Sequence, residues 1–235
     1  MELRKVTESP NSPEHGRWYQ DACGSAFAME LIGERWSLLV VRELMLGGRR
    51  FSDLGASLPG ISAKVLTERL SGLEAAGVLL RRKLPPPVVA QVYELTEWGY
   101  AAEPAIQALG RWAAMHRGHD PRLPLSPVSF MLSLRTMMDW EAAKALNLIA
   151  GFTVGEESFL AELNGGAMPV RRAQADELAG RADIAFAADA PLPLLRLIYG
   201  KQPWAEAEQA GVRVTGDQAS ARRFIALFSL PEKLA

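Results

Sequence analysis

Lys64, Thr67 and Ser71 stand three and four residues apart, a spacing that places them on one side of a helix. An ammonium and two hydroxyls along one stripe can reach phosphate oxygens and base edges of a nucleic acid. Glu68 shares the stripe and is repelled by phosphate unless it pairs with Arg69 or accepts from a cytosine amine. Arg69 lies on the flank, where its stem packs and its head seeks a phosphate or an acid. Further along, Arg81-Arg82-Lys83 puts three cations at the end of a strand. Alternation turns only some of them to one side, but long heads can still converge on a backbone.

These groups need elements that aim them. Phe51, Leu54 and Leu58 recur at helical spacing and predict a short helix over 51–58. Pro59-Gly60 ends it, and Ser62 can cap the next helix with its hydroxyl. In that helix Leu66, Leu70 and Leu73 point inward, which turns Lys64, Thr67, Glu68 and Ser71 outward. Gly77 stops it. Val78 to Lys83 and Val88 to Leu95 then predict a hairpin whose tip is Pro85-Pro86-Pro87. The order is helix, turn, helix and wing, a shape that lays one helix in a DNA groove.

Charge is distributed to match. The 235 residues carry 26 Lys and Arg against 27 Asp and Glu, a net of −1. Between Arg49 and Lys83, however, seven bases face three acids, a local net of +4. Hydrophobic residues at 49% and charged residues at 23% are those of a soluble globular chain. No apolar run is long enough to span a bilayer, and the polar first 20 residues do not read as a signal, so the expected setting is the cytoplasm without membrane contact.

The chain resembles the HxlR family of winged-helix regulators, relatives of the MarR type. The matching pieces are CGSAFAMELIGERWSLLVVREL at 23–44, RRFSDL at 49–54, GISAKVLTERLSGLEAAGVLLRR at 60–82 and YELTEWG at 93–99, with Trp112 beyond. The resemblance covers about the first half. It implies a dimeric DNA-binding regulator with Ser62, Lys64, Thr67 and Arg69 facing DNA and Arg49 and Arg50 near its backbone. Ser71, Arg81, Arg82 and Lys83 complete the expected DNA-binding set. The wing departs from the family, which usually has a basic residue where Ala90 stands. The family often carries a cysteine at the start of its first helix, and Cys23 stands there; in some relatives that thiol senses oxidants. A helix start lowers a thiol pKa and Asp21 opposes that. With one cysteine in the chain no internal disulfide can form, and a small apolar residue is the plainer role.

Residues 24–32 and 35–46 read as helices, and 97–116 as a long one with more apolar surface than one small domain can cover. A symmetric second copy would cover it, so a homodimer through 22–31 and 97–116 is expected. His116, His119 and Asp120 are too few for a metal site; RGHDPRLPLSP reads as a linker, and neither metal nor cofactor is expected.

The second half reads as a helix from Phe130 to Leu146, strands in LNLIAGFTV, SFLAELNGG, MPVRRAQ and ADIAFAAD, helices at 191–199 and 204–210, a strand in VRVTGD and a closing helix at 218–228. It resembles the sterol-carrier-protein-2-like domain in ADIAFAAD, LIYGKQPWAEAEQAG and GVRVTGDQASARRFIALF. That resemblance implies a cavity between sheet and helices for a hydrophobic effector, with Phe130, Leu134, Met138, Phe152, Phe159, Tyr199, Trp204 and Phe224 as lining. Met137, Leu195 and Phe228 are further candidates, and core packing is the plainer reading of each.

The expected class is thus α+β: an arm at 1–20, a winged helix at 21–117, a linker at 118–127 and a ligand-binding domain at 128–235. No GxSxG, P-loop, HExxH or dinucleotide GxGxxG occurs, so no enzyme is expected. Two readings stand: a ligand-responsive regulator partnered by double-stranded DNA, or a lipid carrier or cryptic enzyme whose winged helix contacts protein.

Overall fold

The computed structural model describes residues 19–84 and 90–234; the arm up to residue 18 and the tri-proline tip fall outside them. The first half runs α1 (Gly24–Ile32), α2 (Ser37–Leu44), α3 (Phe51–Ser57), α4 (Ala63–Ala75), β1 (Leu79–Lys83), β2 (Gln91–Leu95), α5 (Glu97–Tyr100) and α6 (Glu103–Ala114). Gly60 turns the chain between α3 and α4 at φ +93°, a left-handed angle that a side chain resists. Ser62 Oγ then accepts from Val65 N at 3.2 Å and starts α4. Leu66, Leu70 and Leu73, each 1% exposed, seat α4 against Val40, Val41 and Leu44 of α2. The hairpin pairs Leu79 with Leu95 and Lys83 with Gln91, antiparallel.

The second half runs α7 (Pro127–Met137), α8 (Trp140–Ala143), β3 (Leu148–Val154), β4 (Glu157–Leu163), β5 (Val170–Arg172), α9 (Ala175–Arg181), β6 (Ile184–Ala188), α10 (Pro191–Ile198), α11 (Trp204–Gln209), β7 (Arg213–Gly216) and α12 (Gln218–Ala226). The strands form one five-stranded sheet in the order β5-β4-β3-β6-β7, with β3 and β6 parallel and the other pairs antiparallel. Phe159, Phe152 and Phe186 are register partners across β4, β3 and β6, so they share a face. Phe152 stacks on Phe186 at 5.2 Å, and Phe224 of α12 closes on both at 6.1 and 5.9 Å. Gly151 faces the opposite side, where a Cβ would sit 3.2 Å from Leu178 of α9.

Three details differ from expectation. The single helix over 130–146 is broken, because Met138 turns extended and bridges Phe228 while Asp139 caps α8. The helix over 97–116 is likewise two pieces, α5 and α6. Helix α9 was not read from the sequence; Asp176 and Glu177 in its first turn and Arg181 in its last complement the helix dipole.

The halves are not beads on a string. Ser126 and Pro127 start α7 directly against α6, and buried residues of both halves form one continuous core. The chain end returns as well: Lys233 Nζ donates to the carbonyls of Ala114 at 2.9 Å and His116 at 3.0 Å, capping α6.

Candidate nucleic-acid interface

Helix α4 presents Lys64, Thr67, Glu68 and Ser71 on its outer face, all exposed. The Lys64 side chain is 87% exposed, so neither the hairpin nor the second half covers it. Its ammonium lies 4.0 Å from Glu68, a solvated pair easily exchanged for a phosphate. Thr67 Oγ1 donates to Ala63 O at 2.9 Å. That proton is spent, so Thr67 can accept from a base amine or lay its methyl on thymine, but not donate to phosphate. Ser62 uses a lone pair as cap and keeps its proton for an outside acceptor.

Two cations are placed otherwise than the sequence suggested. Arg69 finds the acid, not the solvent: Nη2 lies 3.2 Å from Glu34 and Nε donates to Arg35 O at 3.0 Å, clasping α4 to the corner between α1 and α2. Arg49 is 8% exposed. Its backbone pairs with Tyr93, and its guanidinium reaches Glu157 of β4 at 3.0 Å and Glu43 of α2 at 3.5 Å. Arg50, next in sequence, is exposed at the start of α3. In the hairpin Arg81 pairs with Glu74 at 2.7 Å and Arg82 with Glu94 at 2.6 Å; both remain more than half exposed, and Lys83 is exposed. Arg50, Ser62, Lys64, Thr67, Ser71 and the hairpin cations therefore share access to solvent, whereas Arg49 and Arg69 hold the scaffold.

A profile of the HxlR-like helix-turn-helix family matches residues 31–121. The uncharacterized HTH-type transcriptional regulator YvaP of Bacillus subtilis is 40% identical over 86 residues, 37% of this chain and 80% of that protein. The chain belongs to the HxlR-like helix-turn-helix family. The HTH-type transcriptional regulator YodB of the same organism is also 40% identical over 86 residues, 37% of this chain and 77% of its own. The solved reduced form of YodB aligns with TM-score 0.38 and 36% identity, covering 42% of this chain and 98% of that one. The HxlR-like match ends before α7, so the sheet and its helices lie beyond it.

In this HxlR-like chain Cys23 is exposed immediately before α1, with Sγ 3.0 Å from Ser25 Oγ. The Ser25 hydroxyl, then the backbone amides of Ser25 and Ala26, hold the thiol below its ordinary pKa. Asp120 is occupied by Arg122, whose hydrogen bonds bring its pKa to about 2. Among the described residues no three His, Cys, Asp or Glu side chains gather as for a metal, and no helix is long and apolar enough to cross a membrane.

The residues named for an effector cavity separate into two groups. Phe130, Phe152, Phe159 and Phe224 are 0% exposed; the first, second and fourth pack ring against ring, while Arg172 covers Phe159. Leu134 and Met138 are buried with them, and Trp204 sits under the guanidinium of Arg222. Rings fill the space between sheet and helices where the resemblance implied a cavity. Tyr199, with Met137 and Leu195, instead borders a different groove, between α6, α7 and α10.

Sequence reading missed the junction between the halves. Glu43 is fully buried, yet Arg42 reaches it at 2.9 Å and Ser126 Oγ donates to it at 2.7 Å, with Arg49 behind. Arg172 pairs with the far side of Glu157. A carboxylate inside the apolar run WSLLVVRELML was the available signal, because a buried acid needs partners.

Proposed function

We propose that this chain is a DNA-binding transcriptional regulator that acts as a homodimer, inserting α4 into the major groove while the wing cations hold the backbone. The observation that carries the reading is the uncovered outer stripe of α4, rigid on its inner side and polar and solvated on its outer side. The similarity to named HTH-type regulators supports it, and the family match at 31–121 includes α4 and the hairpin. Lys64 and Arg50 would neutralise phosphates, Thr67 and Ser71 would face base edges or sugar, and Arg81, Arg82 and Lys83 would flank the groove. Such work places the chain in the cytoplasm with DNA.

Pairing is supported by apolar surface that stays exposed among the described residues. None of the nine residues of α1 is buried. On α5 and α6, Trp98 is 52%, Leu109 42% and Trp112 72% exposed. Leu109 and Trp112 are one turn apart and face away from α7, so a second copy would bury them, and two α4 helices would then meet successive major grooves. We read the sheet-bearing half as sterol-carrier-protein-2-like, supported by its sheet and helices, and as the part that brings an effector to the regulator.

Fluorescence anisotropy with duplex DNA from beside the gene, titrated at several salt concentrations, tests the reading. Retention that falls steeply with salt is expected, with a log–log slope reporting the number of phosphates engaged. Identical weak retention of every duplex and of none at moderate salt would count against it.

A further inference from the structure

The α6–α7 groove has a volume of about 470 Å³, the size of a pocket for a small organic molecule. Ile106 and Gly110 of α6 line one wall and Leu132 and Met137 of α7 the other, with Leu195 of α10 and Tyr199 at its C-terminal end beside them. Most of its charged borders are already paired: Glu103 with Arg135 at 2.5 Å, Asp120 with Arg122 at 2.8 Å and Arg42 with Glu43 at 2.9 Å, while His119 stands on the rim. An ion entering would have to compete with these pairs for a counter-charge and would lose its hydration.

The polar atoms left define the head group. Ser133 Oγ lies 2.8 Å from Phe130 O and 3.1 Å from Tyr199 Oη. A carbonyl only accepts, so the single Ser133 proton goes to Phe130, and the Tyr199 hydroxyl must donate to Ser133. Among the described residues no donor then reaches the lone pairs of Tyr199 Oη. Gln107 turns its amide nitrogen to Glu103 at 2.8 Å, which leaves its carbonyl oxygen uncommitted as well. Two acceptors are therefore open, Tyr199 Oη and the Gln107 carbonyl oxygen, beside the second amide N–H of Gln107. Burial pushes the Tyr199 phenol well above its ordinary pKa and keeps it in the neutral form this scheme needs.

We propose that this groove binds an uncharged, mainly apolar molecule bearing a hydroxyl or N–H group, which donates to Tyr199 Oη. Its occupant touches α6 from the family domain and α7 and α10 from the second half together. Because α6 carries Leu109 and Trp112 on its other side, filling the groove sets the angle of the pairing helix; this consequence rests on the regulator reading, whereas the site itself does not.

Matched probes test the site without DNA: 2-naphthol, which has the donor, and 2-methoxynaphthalene, which lacks it, followed by equilibrium dialysis and thermal melting of the full chain. Wild type should bind one 2-naphthol per chain and prefer it by about tenfold, the worth of one hydrogen bond. Tyr199→Phe leaves Ser133 bonded to Phe130, so it should fold normally and bind both probes alike. Gly110→Leu, whose side chain would enter the groove, should bind neither while keeping the wild-type circular dichroism. Wild type binding neither probe, equal binding of both, a preference that survives Tyr199→Phe, or unchanged binding by a folded Gly110→Leu would each overturn the proposal. DNA retention of the probe-free protein is read separately; its absence would sink the regulator and leave the groove standing, and the converse holds.

Discussion

At the scale of residues, neighbouring arginines have opposite jobs. Arg50 is exposed, so Arg50→Ala should leave stability within about 0.5 kcal/mol while weakening DNA retention. Arg49 spans Glu43 and Glu157 out of solvent, so Arg49→Ala should lower the free energy of urea unfolding by about 2 kcal/mol, below the cost of a wholly orphaned buried charge because Arg42, Ser126 and Arg172 remain. Equal effects of both substitutions on stability would contradict the placement. Lys64→Ala should reduce the salt slope of DNA binding by about 1 with unchanged melting, the signature of one lost phosphate contact. At Cys23 the Ser25 hydroxyl favours the thiolate; Ser25→Ala should therefore raise the thiol pKa and move the pH profile of iodoacetamide alkylation to higher pH. A profile that stays put would show that this hydroxyl does not hold the thiolate.

At the scale of elements, α4 was legible because one short segment carries its whole instruction: a serine cap, an inner leucine stripe and a glycine stop. The break between α7 and α8 was not, since Met138 leaves the helix to bridge Phe228, ninety residues away in sequence. Helix α6 is held by α7 on one side and Lys233 at its end, and its outer side is bare. Trp112→Glu should thus convert a dimer to monomer in sedimentation equilibrium without lowering the monomer's melting temperature, and should weaken DNA retention by uncoupling the half-sites. A Trp112→Glu protein that sediments as wild type would move the pairing face elsewhere.

At the scale of the whole molecule, the core runs without interruption from α4 through α7 to the sheet. The full chain should therefore unfold in one transition, with tryptophan fluorescence and far-ultraviolet circular dichroism coinciding across urea; two separated transitions would show independent halves. The sequence by itself determined the helix-turn-helix, the face α4 shows to solvent and the α+β character of the second half, because each rests on periodicity and turn chemistry within a few residues. Only the tertiary structure decided that Arg49 and Arg69 brace the scaffold, that the phenylalanines fill the sheet's helical face, and that a groove lies between α6 and α7. Those outcomes depend on which distant acid, ring or helix arrives beside each group, and burial and ion pairing are properties of that meeting, not of the local chain.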